Sequence, residues 1–107
     1  MKIFRSQAWT GGWFVGNFNP AAFKTEQFEV CLKRHKQGES WPKHFHKIAT
    51  EINYLIRGKI TLMGESFNAG DVFVILPGEV ADPQFLEDCE LIVVKVPSVK
   101  ADKYEVT

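Results

Sequence analysis

The chain has 107 residues with 13 basic and 13 acidic side chains, and nine Phe, three Trp and two Tyr. That is one domain's worth of chain, able to bury a core with little to spare, so a single domain over 1–107 is expected. Balanced charge without a basic stripe argues against a nucleic-acid partner, no apolar run approaches the length of a membrane span, and MKIFRSQAW lacks the apolar region of a secretory signal; the expected compartment is the cytosol.

Taken in order, the chain reads as short strands punctuated by turn signals, an all-β pattern. Ile3–Trp9 is a first strand, broken by Thr10-Gly11-Gly12, and Trp13–Phe18 a second. Asn19-Pro20 turns the chain, and Ala21–Gln27 has room for one helical turn. Phe28–Arg34 alternates, with Phe28, Val30 and Leu32 on one face and Glu29, Cys31 and Lys33 on the other. Trp41–His46 follows the turn at Lys36-Gln37-Gly38; its alternation puts Pro42, His44 and His46 on one face. Glu51–Arg57 is closed by Gly58. Lys59–Met63 and Ser66-Phe67 flank a Gly64-Glu65 hairpin turn. Val72–Leu76 is a continuous apolar strand ended by Pro77-Gly78, Ala81–Phe85 a short one, and Cys89–Val96 the last long one. Val99–Thr107 is a loose tail or a strap across the sheet. Cys31 and Cys89 sit in apolar runs without CxxC spacing, and read as reduced, buried thiols.

Chemistry concentrates in Gly38–Gly58, GESWPKHFHKIATEINYLIRG. His44 and His46, two apart on a strand, project two imidazoles from one face, and Glu51 opens the next strand. Two imidazoles and a carboxylate can form a facial triad for a divalent transition metal with open positions. The spacing is Gly38, five residues, His44-x-His46, four residues, Glu51, six residues, Gly58. It resembles the first motif of the cupin superfamily at every fixed position. Gly70-Asp71 through Leu76-Pro77-Gly78 is similar to the start of the second, and the resemblance spans about 28–96. It implies a small antiparallel double-stranded β-helix, a jelly-roll barrel, in agreement with the turn pattern.

The resemblance also implies a third histidine where this chain has Ala81. Asp82, one residue on, can replace it only if a β-bulge restores its side chain to the inner face; otherwise it caps a turn before Pro83. The expected ligand set is therefore His44, His46 and Glu51, with Asp82 as a fourth candidate, for Fe, Mn, Ni or Zn. Arg57 shares the parity of Glu51 and could orient an anionic substrate, while Tyr54 and Phe73, with Trp13, Trp41 and Phe85, could line a pocket mouth. His35 has no role in the family pattern.

Cupins with this motif include dioxygenases, isomerases, decarboxylases and lyases, so the resemblance implies a metal-dependent oxygenase- or isomerase-type enzyme on a small oxygenated metabolite without fixing the reaction. The alternatives are a non-catalytic module that binds or senses a sugar or carboxylate at a degenerate metal site, and an interaction protein that has lost its ligand. A homodimer is compatible with each, paired through an exposed apolar strand such as Leu91–Val96 or the N-terminal run.

Overall fold

A computed structural model describes residues 1–106. The strands are β1 (Trp13–Gly16), β2 (Phe23–Lys24), β3 (Glu29–His35), β4 (His44–Phe45), β5 (Thr50–Arg57), β6 (Lys59–Leu62), β7 (Glu65–Asn68), β8 (Val72–Ile75), β9 (Gln84–Phe85), β10 (Cys89–Val96) and β11 (Tyr104–Glu105). One sheet runs β2-β1-β3-β10-β5-β8; a second runs β7-β6-β9; β11 and β4 form a short third pair. Every pairing is antiparallel except β1 with β2. Buried Cys31, Leu55, Leu91 and Val93 project from the large sheet toward Ile60, Leu62 and Phe85 of the second, so the core lies between the layers.

The long strands are rich in the β-branched and aromatic residues that suit a pleated surface. On β3 and β5, polar residues share the inward face with core residues. On β3 the inward face is Cys31, Lys33 and His35, and on β5 it is Glu51, Asn53 and Leu55. The polar residues of these strands thus face an internal cavity, while Val30, Leu32, Ile52 and Tyr54 stand outside. The glycine closing the first motif is held there by space and backbone together. Gly58 has φ +103°, and a Cβ added to it would lie 2.6 Å from the Asp88 carbonyl oxygen and 2.9 Å from the Cys89 Cα.

Several expected elements differ. Ile3–Trp9 forms no strand, because no neighbouring strand runs beside it to take its backbone groups, and Ile3 and Phe4 are exposed. In place of a helical turn in Ala21–Gln27, β2 lies parallel to β1, with the Ala22 amide donating to the Phe14 carbonyl at 2.7 Å and the Thr25 amide to that of Gly16 at 3.1 Å. Trp41–His46 is strand only at His44–Phe45; Pro42 has no N–H to offer a ladder. The β6–β7 hairpin turns on Met63-Gly64 rather than Gly64-Glu65, with φ 52° and 79°, the double positive φ of a type I′ turn. Leu91–Val96 is no open edge: β10 is paired on both sides, by β3 and β5. The C-terminal segment is a strap, β11 pairing with β4 through Tyr104↔Phe45 and Glu105↔His44; Thr107 lies outside the described residues.

Candidate functional site

The space between the sheets holds a cavity of about 230 Å³, and His44, His46, Glu51 and Phe73 all line it. β4 and the residue that follows it deliver His44 and His46, whose rings meet edge to face with centroids 5.6 Å apart. β5 delivers Glu51 and Asn53 from neighbouring inward positions, and Asn53 Nδ2 donates to Glu51 Oε2 at 3.2 Å.

Both imidazoles spend the same nitrogen on the backbone. His44 Nδ1 lies 3.0 Å from the Pro42 carbonyl oxygen, and His46 Nδ1 lies 2.5 Å from that of Asp102. A carbonyl oxygen only accepts, so each Nδ1 carries the proton and donates it. In a neutral ring Nε2 is then left with a lone pair. This is the way metal-binding histidines are held, with the far nitrogen fixed by an acceptor outside the ligand shell. Burial holds His44 below the ordinary imidazole range, which favours that neutral form.

His46 Nε2 faces Glu51 Oε1 at 3.7 Å. That is too long for a hydrogen bond. With Nδ1 donating to Asp102, a neutral His46 turns a lone pair toward a carboxylate. Burial would push the Glu51 carboxyl up, but a His46 that carries a proton on Nε2, Lys95 and the Asn53 amide outweigh it and hold Glu51 below the usual carboxylate range, so the carboxylate is charged. Two electron-rich atoms facing each other call for a cation between them: a proton on His46, or a metal. Two ligands with bonds of about 2.0–2.2 Å can span such a gap. The donor set fits a transition metal in chemistry, but it is not gathered. Among the described residues no three His, Cys, Asp or Glu side chains converge on one point that would hold an ion, and His44 has no carboxylate within 4.0 Å.

The position expected to carry a third histidine is indeed beside the pair. Ala81 bridges His44 through both backbone hydrogen bonds, 3.1 and 2.7 Å, and its methyl group lines the cavity. Asp82 is not a ligand candidate here. No bulge returns it to the inner face; Oδ1 accepts from the Met63 amide at 3.1 Å and so caps the β6–β7 turn. Arg57 and Tyr54 also fall outside the cavity. Tyr54 is on the outer face of β5, opposite in parity to Glu51. Arg57 has the right parity, but the β10–β5 register slips between Glu90 and Leu91, leaving it exposed at the strand end. Trp13, Trp41 and Phe85 line the cavity with Phe73.

Two sets of residues were not expected there. The first is His35, stacked on Phe85 at 4.0 Å, with Nδ1 2.5 Å from Glu39 Oε2, which also accepts from Trp41 Nε1 at 2.7 Å. The Trp41 and His35 hydrogen bonds hold the Glu39 carboxyl below its ordinary range. The signal for His35 was its parity with Cys31 and Lys33 on β3. The second is Asp102, buried beneath the site. Its carbonyl takes the His46 proton, and its carboxylate accepts from the amides of Lys47, Ile48 and Ala49 at 3.0, 3.1 and 2.9 Å. It lies 56 residues beyond His46, and no local spacing announces it.

No protein-family model matches the chain, and no curated protein matches it. Solved structures do. One is a conserved Klebsiella pneumoniae protein with a double-stranded β-helix domain, 20% identical, TM-score 0.69, over 77% of this chain and 72% of that one. Another is a cupin-2 domain protein from Shewanella frigidimarina, 18% identical, TM-score 0.57, over 67% and 72%. A third is the polyketide cyclase RemF from Streptomyces resistomycificus, 21% identical, TM-score 0.68, over 78% and 63%. At these identities the likeness is one of fold. The chain has the cupin fold, a double-stranded β-helix.

Proposed function

We propose that the chain is a small metal-dependent cupin enzyme that binds a small oxygenated metabolite between its sheets, with a divalent transition metal held by His44, His46 and Glu51. The observation that carries this is the facing of His46 Nε2 and Glu51 across 3.7 Å, with both histidine Nδ1 atoms committed to backbone carbonyls. A divalent metal there supplies Lewis acidity toward a substrate oxygen. The chain's own residues do the rest. Asp102 and Pro42 fix the imidazoles, Asn53 steadies Glu51, and the apolar wall of Ile60, Leu62, Phe73 and Phe85 limits water. The cavity is small beside typical ligand pockets of roughly 300–1,000 Å³, which favours a small metabolite. The cytosol is the compartment proposed, and a homodimer the assembly.

Metal analysis of protein purified without a histidine tag tests the reading. Wild type is expected to carry near-stoichiometric metal, and His44→Ala and Glu51→Ala less than a tenth of that. Low metal that is the same in all three removes the metal from the proposal.

One observation favours a second reading, a non-catalytic binding module with a degenerate site: Ala81 stands where a further ligand is expected, and the remaining three are not gathered around one point. Oxygen uptake by the metal-loaded protein with enolisable acids and thiols separates the two as far as oxygenase chemistry goes. Flat traces with every compound favour the binding module.

A further inference from the structure

Three lysines line the cavity from three different parts of the chain: Lys33 on β3, Lys95 on β10 and Lys103 on the C-terminal strap. Among the described residues, Glu51 is the one carboxylate lining the same space. Neighbouring groups neutralise the lysines only in part. Lys95 Nζ is 3.9 Å from Glu29 Oε1, whose partner oxygen accepts from the Ser98 hydroxyl at 2.8 Å. Lys33 Nζ donates to the Gly11 carbonyl at 2.7 Å and has no carboxylate within 4.0 Å among the described residues, and neither does Lys103. The amines rest instead on aromatic faces. Lys33 and Lys95 lie 5.8 and 5.0 Å from the Trp13 ring centroid, and Lys103 lies 4.5 Å from that of Trp41. A tryptophan face attracts a cation without cancelling its charge.

Counting Glu29 beside Lys95 together with Glu51, three ammonium groups stand against two carboxylates, and the lysine side of the cavity keeps an excess of positive charge. Low-dielectric walls concentrate such a field. Lys103 is consistent with it: burial holds its ammonium below the ordinary range, and repulsion from Lys95 and Lys33 lowers it further against the opposing pull of Glu105 and Glu51. Lysines grouped with fewer carboxylates than amines cost free energy that an anionic ligand recovers on binding.

We infer that the ligand of this cavity is a small anion, a carboxylate or a phosphate ester, whose charged group is held by Lys33, Lys95 and Lys103 against Trp13 and Trp41. The inference rests on the small-molecule reading above and narrows its ligand to one chemical class. It is independent of whether a metal is bound, because the amines are on β3, β10 and the strap, whereas the proposed metal ligands are on β4, the residue after it and β5.

Trp13 and Trp41 line the site, so intrinsic fluorescence reports on it. Chelator-stripped and metal-loaded protein are each titrated with malonate, inorganic phosphate and, as an uncharged control, glycerol. Saturable fluorescence changes are expected with at least one anion in both forms, and none with glycerol. The tighter of the two anions identifies the charged group. Lys103→Met and Lys33→Met, which keep the stem and remove the charge, are expected to raise the dissociation constant tenfold or more while leaving the melting temperature near that of wild type. Lys103→Arg is expected to restore binding.

The inference is overturned by an absence of saturable change with either anion, by an equal response to glycerol, or by unchanged affinity in the methionine variants. Anion binding that disappears on chelation and ignores the lysine variants also overturns it, and leaves the metal reading standing. Lysine-dependent binding in a protein that takes up no metal upholds it and removes that reading.

Discussion

At the scale of single residues, chemistry here is decided by what each polar atom has left to give. His44 and His46 are candidate ligands because Nδ1 is already used in each. Cys31 is the opposite case. It lies on the inward face of β3, next in parity to Lys33, yet burial pushes its thiol up to about 11, with Lys33 and Lys95 only partly countering that effect. A thiol is nucleophilic as its thiolate. Cys89 is buried too, and burial likewise raises its pKa. The expected outcome is that native protein at pH 8 takes up no iodoacetamide over an hour, whereas the same protein in urea takes up two equivalents per chain, measured by mass spectrometry. Labelling of the native chain at Cys31 would show that the cavity opens to solvent around it. The metal and lysine substitutions argued above belong to this scale as well. So does much of what could be read in advance: the two-residue period of a strand and a fixed spacing set His44, His46 and Glu51 along one cavity, though not around one point, and Phe73, read as a pocket-mouth aromatic, lines it too. Asp82 and Arg57 were misplaced because parity is only as good as the register behind it. A turn cap claims the first, and a slipped register at a strand end leaves the second in solvent.

At the scale of elements, the C-terminal strap shows why the rest of the site was not legible. Alternation within Trp41–His46 gives the histidines a common face, but nothing in that segment says what holds them. The support is Asp102, which reaches the site only because β11 pairs with β4. Its carboxylate takes three backbone amides at the turn into β5, and its carbonyl orients His46. Burial would raise the Asp102 carboxyl, but the amides of Ala49, Lys47 and Ile48 and the neighbouring His46 outweigh it and leave the group below its ordinary range. A carboxyl depressed in the folded state contributes stability at pH values above its unfolded value of about 3.9, and that contribution is lost as the pH falls through the folded value. Asp102→Asn keeps the shape and removes the charge. It is expected to lower the free energy of unfolding by about 2 kcal/mol at pH 7, since hydrogen bonds to a charged acceptor are among the stronger ones. Urea unfolding at a series of pH values checks this. The gap between variant and wild type is expected to narrow from about pH 4 downward, as Asp102 of the unfolded chain is protonated, and to close only below the lower folded value, where native Asp102 is neutral as well. A gap that stays constant down to pH 2 would mean that the charge contributes nothing and that the strap is held by β11 alone.

At the scale of the whole molecule, the large sheet places polar side chains of β3 and β5 on its inner face and leaves apolar groups outside. The registers place them in two cross-strand rows on the outer face of the large sheet: Val30, Val94, Ile52 and Val74 in one, and Leu32, Ile92, Tyr54 and Val72 in the other. On β3 and β10 the rows are partly covered. On β5 and β8 they open to solvent, with Tyr54, Val72 and Val74 each about half exposed and Ile56 and Leu76 beside them. β8 is also the edge of that sheet, so its free backbone groups adjoin the patch. Contiguous apolar surface at an unprotected strand edge is what a soluble chain covers with a partner. A second copy is the simplest partner, because a two-fold axis near β8 would set the same patch against itself. The homodimer proposed above therefore pairs through β5 and β8, not through β10, whose edges are both taken. Sedimentation equilibrium at micromolar concentrations is expected to return twice the 12.2 kDa mass of the chain. Val74→Asp buries no core and lies in the centre of the patch, so it is expected to leave the melting of the chain cooperative while shifting the mass to that of one copy. Thr61→Asp, on β6 in the other sheet, is the control and is expected to leave the dimer intact. A wild-type chain that sediments as a monomer, or a dimer indifferent to Val74→Asp, would assign the open face of β5 and β8 to some other cover.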